Sequence, residues 1–317
     1  MLVTGGMGFI GSNFIRMYLE SESDVHIVNL DKLTYAGNTE NLRDLEKDPR
    51  YEFVRGDICD AGVVERAMKG CDVVVHFAAE SHVDRSIEDP SSFIRTDVLG
   101  TFVLLEQAKE NKVERFVQIS TDEVYGTIPG GYSSVETDPL MPRNPYSASK
   151  AGADRLAYSY FTTYDFPVVI TRASNNYGPR QYPEKLIPLF VTNLLEGKKV
   201  PLMGDGKNIR DWLYVYDHCD AVKFLLEKGR NGEVYNISGE NEKENIEITK
   251  IILDELEMDE SMIEWVRDRL GHDRRYSMRC DKLKELGWKQ NMEFEIGIRK
   301  TIRWYVENER WWKPLKK

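Results

Sequence analysis

Short β-branched runs alternate with amphipathic stretches along the first half of the chain, at residues 25–30, 51–55, 73–77, 116–120 and 168–171. Runs of this length predict buried strands, and the intervening segments 9–20 and 92–111 carry apolar residues near helical spacing. In the second of these, Val98, Phe102 and Leu105 are expected to form one stripe. Strands alternating with helices predict a parallel sheet wrapped on both faces. After Thr171 the pattern loosens into segments punctuated by Pro and Gly, with one further strand expected at 234–237 and outer helices at 246–257 and 294–307. The first strand, Leu2-Val3-Thr4, is shorter than the usual five or six residues, which leaves open whether residues precede Met1. It runs into a glycine turn and does not resemble a signal peptide.

That turn, Gly5-Gly6-Met7-Gly8-Phe9-Ile10-Gly11, follows a strand and opens a helix. Its amides and the helix N-terminus would face a pyrophosphate, and the missing side chains would let it approach closely. Gly5, Gly8 and Gly11 alone could mark only a tight turn, but Asp31 follows at the end of the next strand, where a carboxylate accepts bonds from a ribose diol and repels a 2′-phosphate. NAD is therefore expected over NADP. A solvated turn aspartate is the plainer alternative for Asp31. Asp57 and Ile58 after the third strand, and Ala78 and Ala79 after the fourth, would complete the edge of the site. The expected fold class is α/β: a Rossmann-type doubly wound parallel sheet (residues 1–172 and 209–237) with a smaller mixed α/β substrate-binding lobe (173–208 and 238–317).

Tyr146 and Lys150 stand four residues apart, on one face of a helix. An ammonium beside a phenol favours the phenolate, which could take a proton from a sugar hydroxyl while the carbon loses hydride. Such a pair by itself usually marks only an exposed amphipathic helix. Thr121-Asp122-Glu123 begins at the carboxyl end of the 116–120 strand, where sites in parallel sheets lie. A helix cap or a solvated acidic turn would also account for it. Water elimination next to a ketone, however, needs a base and an acid, and two adjacent carboxyls in opposite protonation states would supply both.

Composition narrows the field. The chain has 317 residues, 41% hydrophobic and 30% charged, which predicts a folded, soluble class with one large or two closely joined domains. A net charge of -10 argues against nucleic-acid binding. The chain contains no long apolar run, so no membrane span is expected. Cys59, Cys71, Cys219 and Cys280 lack paired spacing and read as reduced buried thiols, as in the cytoplasm. His26, His76 and His218 show no metal-ligand spacing, so no metal is expected. Trp304, Trp311 and Trp312 are expected to pin the last helix to the body.

Taken together, the glycine run, Leu30 to Asn38, His76 to Ser86, Thr121 to Gly126, Tyr146 with Lys150, Asn175 to Pro179, Pro183 to Pro188, Asn208 to Leu213 and Gly271 to Tyr276 resemble the extended short-chain dehydrogenase/reductase family, and within it the dTDP-glucose 4,6-dehydratases, almost end to end. The resemblance implies that Tyr146 is the base for C4 oxidation, Lys150 its electrostatic partner and Thr121 a hydrogen bonder to the C4 oxygen. It makes Asp122 the acid at the C6 hydroxyl and Glu123 the base at C5. It adds Phe9, Ile10, Lys32, Thr34 and Thr96 to the NAD site, where Tyr146 and Lys150 also take part. Around a nucleoside-diphospho-glucose it places Ser81, His82, Thr121, Asn175, Lys185, Leu186, Arg210, Asn245 and the segment Asp268, Arg269 and His272. Arg210 has an independent reason, since a guanidinium can grip diphosphate oxygens through two parallel bonds; an ion pair with Asp205 or Asp211 is the competing role. Leu270 and Gln181 depart from the family's usual proline and histidine. The family also implies a homodimer through helices 92–111 and 146–164. Two other functions remain open: a nucleotide-sugar 4-epimerase, which has no use for adjacent carboxyls, and a dinucleotide-sensing protein without turnover.

Overall fold

The computed structural model describes residues 1–268 and 271–316. Its strands are β1 (Leu2–Thr4), β2 (Ile27–Asp31), β3 (Tyr51–Arg55), β4 (Val73–His76), β5 (Arg115–Thr121), β6 (Val168–Ala173), β7 (Asn175–Tyr177), β8 (Val200–Met203), β9 (Ile209–Tyr214), β10 (Val234–Ile237), β11 (Glu242–Glu244) and β12 (Ile263–Val266). Seven of them form a sheet in the order β10-β6-β5-β4-β1-β2-β3, every pair parallel. Both faces are covered, which is why these strands read as continuous apolar runs. Helices Phe9–Ser21 and Val215–Lys228 pack Phe14, Ile15, Val215 and Val222 on one face. Helices Ala61–Met68, Thr101–Glu110 and Pro145–Tyr164 pack Val64, Leu104, Leu105 and Ala157 on the other.

Strand order reverses between β1 and β4, so the loops after these strands open a crevice at the carboxyl edge of the sheet. A second core lies beyond that edge. It joins helices Leu186–Leu195, Asn245–Glu255 and Phe294–Glu307 to a sheet ordered β11-β9-β7 and a parallel pair β12-β8. The strand at 234–237 belongs to the large sheet, beside β6. Within 209–237, β9 pairs in the small sheet and β10 in the large one. Trp312 is buried and donates its indole N–H to the Tyr305 carbonyl, while Trp311 donates to Asn41 Oδ1, tying the last helices to the body.

The helix expected over 92–111 is built differently. It runs as Pro90–Phe93, a π-helical stretch Ile94–Gly100, and Thr101–Glu110. Within Thr101–Glu110 the inward side carries Leu104, Leu105 and Ala108, so Leu105 is fully buried whereas Phe102 is 44% exposed. The predicted single stripe of Val98, Phe102 and Leu105 is thereby broken.

All four cysteines are free thiols; three are buried and Cys59 is partly exposed. Among the described residues no helix is long and apolar enough to cross a membrane, and no cluster of His, Cys, Asp or Glu could hold a metal ion. His76 lies between Thr4 and Thr101, and His218 binds Asn176 Oδ1.

Below the carboxyl edge, Arg172 of β6 is 1% exposed and bonds through Nε to Asp154 of helix Pro145–Tyr164 at 2.8 Å. Removing one partner of a buried pair strands the other charge, at a cost of about 3 to 5 kcal/mol. Asp154→Ala should therefore lower the denaturant midpoint strongly, and an Asp154→Leu, Arg172→Met double variant should recover much of the loss. A double variant no more stable than the single one would show that packing, not charge, dominates there.

Candidate active site

The crevice at the strand reversal is a groove whose wall includes Gly5, Gly8, Phe9, Ile10, Gly11, Asp31, Lys32, Thr34, Asp57, Ile58, Ala78, Ala79 and Thr96. Each of these was expected at a dinucleotide. The glycine turn is shaped by contact: Gly5 has φ +72°, and a Cβ on it would sit 2.5 Å from the Ala78 amide nitrogen. A Cβ on Gly11 would meet the Gly5 carbonyl at 2.4 Å. Asp31 closes the far end, accepting the Met7 and Leu33 amides at 2.9 and 2.8 Å. Burial raises its pKa, with those amides opposing. Lys32 pairs with Asp57 at 2.8 Å.

Several wall residues were not anticipated. Glu80, Gln181, Tyr182 and Glu184 also line the groove, as does Ser81, which had been expected at the sugar nucleotide. Tyr35 OH donates to Glu184 Oε1 at 2.8 Å, and the Arg85 guanidinium covers the Tyr35 ring at 3.7 Å. These bonds span the groove from the loop after β2 to the segment before helix Leu186–Leu195. Only folding brings residues so distant in sequence together.

A second pocket adjoins the first and shares Gln181, Glu184 and Lys185 with it. His82, Asn175, Leu186, Arg210, Asn245 and His272 line it as expected, together with Glu123. Phe190 and Leu202 supply apolar wall that no motif had marked, and Trp212 of the 208–213 motif adds to it. Asn175 Oδ1, Asn245 Oδ1 and Gln181 Oε1 are buried acceptors with no protein partner, as befits a polar ligand. Arg210 stacks over Tyr276 at 4.2 Å and donates to the Ile209 and Asp273 carbonyls at 2.7 and 3.0 Å. The acids suggested as its partners are engaged elsewhere: Asp205 pairs with Arg274, and Asp211 accepts from Ser238 and Asn241. Asp268 bonds His272 Nδ1 at 2.5 Å but is not itself part of the wall. Arg269 and the Leu270 departure lie outside the described residues.

Between the two pockets, β5 ends at Thr121, whose hydroxyl accepts the Glu123 amide at 3.2 Å and caps a short 3-10 turn, Asp122–Tyr125. The turn sends its two carboxyls into different surroundings. Glu123 reaches the sugar pocket, where its Oε2 lies 3.1 Å from Tyr276 OH and 3.4 Å from Asn144 Nδ2. Asp122 is 4% exposed, and its Oδ2 has no hydrogen-bond partner. Burial, then Glu123 and Asp211, hold its pKa well above 3.8.

Facing the turn, Asn144 caps helix Pro145–Tyr164 by accepting the Ser147 amide at 2.8 Å, which presents Tyr146 in the first turn. Thr121 is the group near its phenol that favours the phenolate. The Lys150 ammonium, expected to act on this phenol, is instead directed at the Ile119 carbonyl, 2.7 Å away, and burial, Glu123 and Asp97 push the Tyr146 pKa well up, with Thr121 opposing. None of Tyr146, Lys150 and Thr121 belongs to the wall of either pocket.

The model of the family described as GDP-mannose 4,6 dehydratase matches residues 2–301. The dTDP-glucose 4,6-dehydratase of Streptomyces antibioticus is 52% identical over 323 aligned residues, covering 100% of this chain and 95% of its own. The chain belongs to the dTDP-glucose 4,6-dehydratase family, among the extended short-chain dehydrogenases/reductases. The dTDP-glucose 4,6-dehydratase of Streptomyces venezuelae, solved with NAD bound, superposes with a TM-score of 0.97 at 52% identity, over 99% of each chain. The UDP-glucose 4-epimerase of Thermus thermophilus, solved with NAD, is more distant: TM-score 0.89 and 31% identity, over 97% of this chain and 99% of its own.

A carboxyl whose folded pKa lies above its unfolded value binds its proton more tightly in the native state, so stability falls as pH rises above about 3.8 toward the folded pKa. Asp122→Asn should therefore melt at a higher temperature than the parent near pH 7 and show little advantage below pH 3.8. Thermal melts across pH test this, and equal melting near neutrality would mean that Asp122 is ionised.

Proposed function

We propose that this chain is an NAD-dependent dTDP-glucose 4,6-dehydratase, a hydro-lyase forming dTDP-4-keto-6-deoxyglucose. The observation that carries the elimination is the pair Asp122 and Glu123, neighbours in sequence, one carboxyl buried with its Oδ2 unpartnered and the other at the pocket wall. Bound NAD, which Gly5, Gly8, Gly11 and Asp31 would hold, would supply the acceptor for the C4 hydride and the donor for C6. Tyr146 takes the C4 hydroxyl proton, with Thr121 donating to the same oxygen and Lys150 supplying positive charge from the next turn. The C4 ketone acidifies the C5 proton, which Glu123 removes. Asp122 gives its proton to the C6 hydroxyl, which departs as water, and C5 is reprotonated after hydride return. Arg210, Asn175, Asn245, Lys185, Leu186, His82 and the 268–272 segment hold the nucleotide diphosphate. Residues 1–172 with 209–237 form mainly the NAD side, and 173–208 with 238–317 the sugar-nucleotide side.

The epimerase alternative rests on the 31% identity to a 4-epimerase, but that reaction gives Asp122 nothing to protonate. Incubation with dTDP-glucose and catalytic NAD in deuterated water separates the two by mass. Loss of one water with one deuterium at C5 is expected; unchanged mass with galactose released on hydrolysis would mean epimerisation. Asp122→Asn and Glu123→Gln should each slow water loss by about 10² to 10⁴ while C4 oxidation stays measurable.

The free thiols accord with a cytoplasmic protein, and we infer a homodimer. Ile94, Leu99 and Phe102 are exposed on a patch completed by Val98 and by Leu156 of the neighbouring helix, an apolar face that two subunits could bury as a four-helix bundle. Light scattering should give twice the chain mass, and Phe102→Glu should give a monomer. A monomeric parent at micromolar concentration ends this proposal.

A further inference from the structure

The end of the chain is bonded to both rims of the cofactor groove without entering it. On one side Trp311, in helix Glu309–Trp312, donates its indole N–H to Asn41 Oδ1 at 2.8 Å. Asn41 is 1% exposed, and its Nδ2 donates to the Met7 carbonyl at 2.9 Å. Met7 stands between Gly6 and Gly8 of the glycine turn, and its own amide is held by Asp31 Oδ2 at 2.9 Å. The loop after β2 meets the same point, since the Asn38 amide also donates to the Met7 carbonyl, at 3.0 Å. One line of bonds thus runs from the tail to the glycine turn and Asp31, the two features that face the ADP half of a dinucleotide in this fold.

The opposite rim is held by the same segment. Tyr305 OH donates to the Gln181 carbonyl at 2.6 Å, and Tyr182 OH donates to the Leu315 carbonyl at 3.2 Å. Gln181 and Tyr182 both line the groove, whereas Trp304, Tyr305 and Trp311 do not. These three rings pack edge to face with centroids 5.0 to 6.4 Å apart, which joins the two grips through one aromatic cluster.

We propose that the C-terminal segment 304–315 is a clamp on the cofactor groove and that Trp311 is a positioning residue for NAD, acting through Asn41 on Met7 and Asp31. It rests on the groove being the NAD site. Without the indole N–H, Asn41 Oδ1 becomes a stranded acceptor in the interior, and a group in that state moves to find another partner. Its Nδ2 then no longer fixes Met7, and the bare backbone that a pyrophosphate approaches loses its shape. Residence of the dinucleotide is therefore set in part from outside the groove. In a reaction that takes a hydride and gives it back, departure of the reduced cofactor between the two transfers would leave the sugar oxidised.

The probes are NADH, followed by its fluorescence, ADP-ribose and dTDP. A parent protein that fails to bind NADH ends the reading of the groove itself. Trp311→Phe keeps an aromatic ring and loses the N–H. It should speed release of NADH, chased with excess NAD, by about three- to tenfold, and weaken ADP-ribose by a similar factor, while dTDP, which occupies the second pocket, binds as in the parent. Asn41→Ala should do the same, and adding Trp311→Phe to it should have no further effect, because both act along one path. Tyr305→Phe frees the other rim; it should also speed NADH release with dTDP unaltered, and it decides the matter alone if Trp311→Phe does not fold. With a parent that binds NADH, unaltered release in either single aromatic variant, a loss shared equally by dTDP, or additive effects of Trp311→Phe and Asn41→Ala overturns the clamp and leaves the NAD site standing.

Discussion

A single guanidinium joins the two elements on which the proposed chemistry stands. Arg172, deep in β6, bonds to Asp154 and, at 2.8 Å, to Tyr125 OH. Asp154 follows Tyr146 and Lys150 at one-turn spacing along one helix, and Tyr125 closes the turn that holds Asp122 and Glu123. The hydroxyl of Tyr125 continues to Asn236 of β10, so the edge of the sheet is included in the same network. Helix and turn therefore share one anchor. In an interior where unmet polar groups are expensive, few alternative arrangements could satisfy all of these groups together.

The turn after β5 solves a problem of placing like charges. Two carboxyls on consecutive residues would ordinarily repel one another in water and both ionise. A 3-10 turn capped by Thr121 directs one into the interior and the other to the pocket, where Tyr276 and Asn144 meet it. Backbone geometry thus buries the Asp122 carboxyl, where desolvation and then the charges of Glu123 and Asp211 raise its pKa, and Arg210 and Tyr276 from the smaller lobe close the space around the pair.

The large sheet was legible because its strands are buried on both faces and leave unbroken apolar runs; the glycine turn and Asp31 located the groove, whose expected wall residues line one cavity. Much of the smaller lobe was not legible. Strand β11 is Glu-Lys-Glu and β7 is Asn-Asn-Tyr, so their pairing depends on neighbours, and neither carries a pattern of its own. Tyr276 was visible only inside a motif, and nothing local placed its hydroxyl beside Glu123. Gln181 and Glu184 reach the NAD groove from far along the chain. The spacing of Tyr146 and Lys150 was read correctly as one helical face, but spacing cannot reveal that the ammonium turns toward the Ile119 carbonyl while burial, and then carboxylates, act on the phenol.

The π turn at Ile94–Gly100 acts on its helix as a phase shift acts on a wave. An unbroken helix has one inward side, and every residue on it shares the same surroundings. Widening the turn partway along one rod lets Phe93, Asp97 and Thr101, each four residues apart, stay inside together before Phe102 faces outward. A chain with only twenty letters and one period per helix thereby gains a second degree of freedom, by which two neighbouring stretches of the same element can answer to different environments.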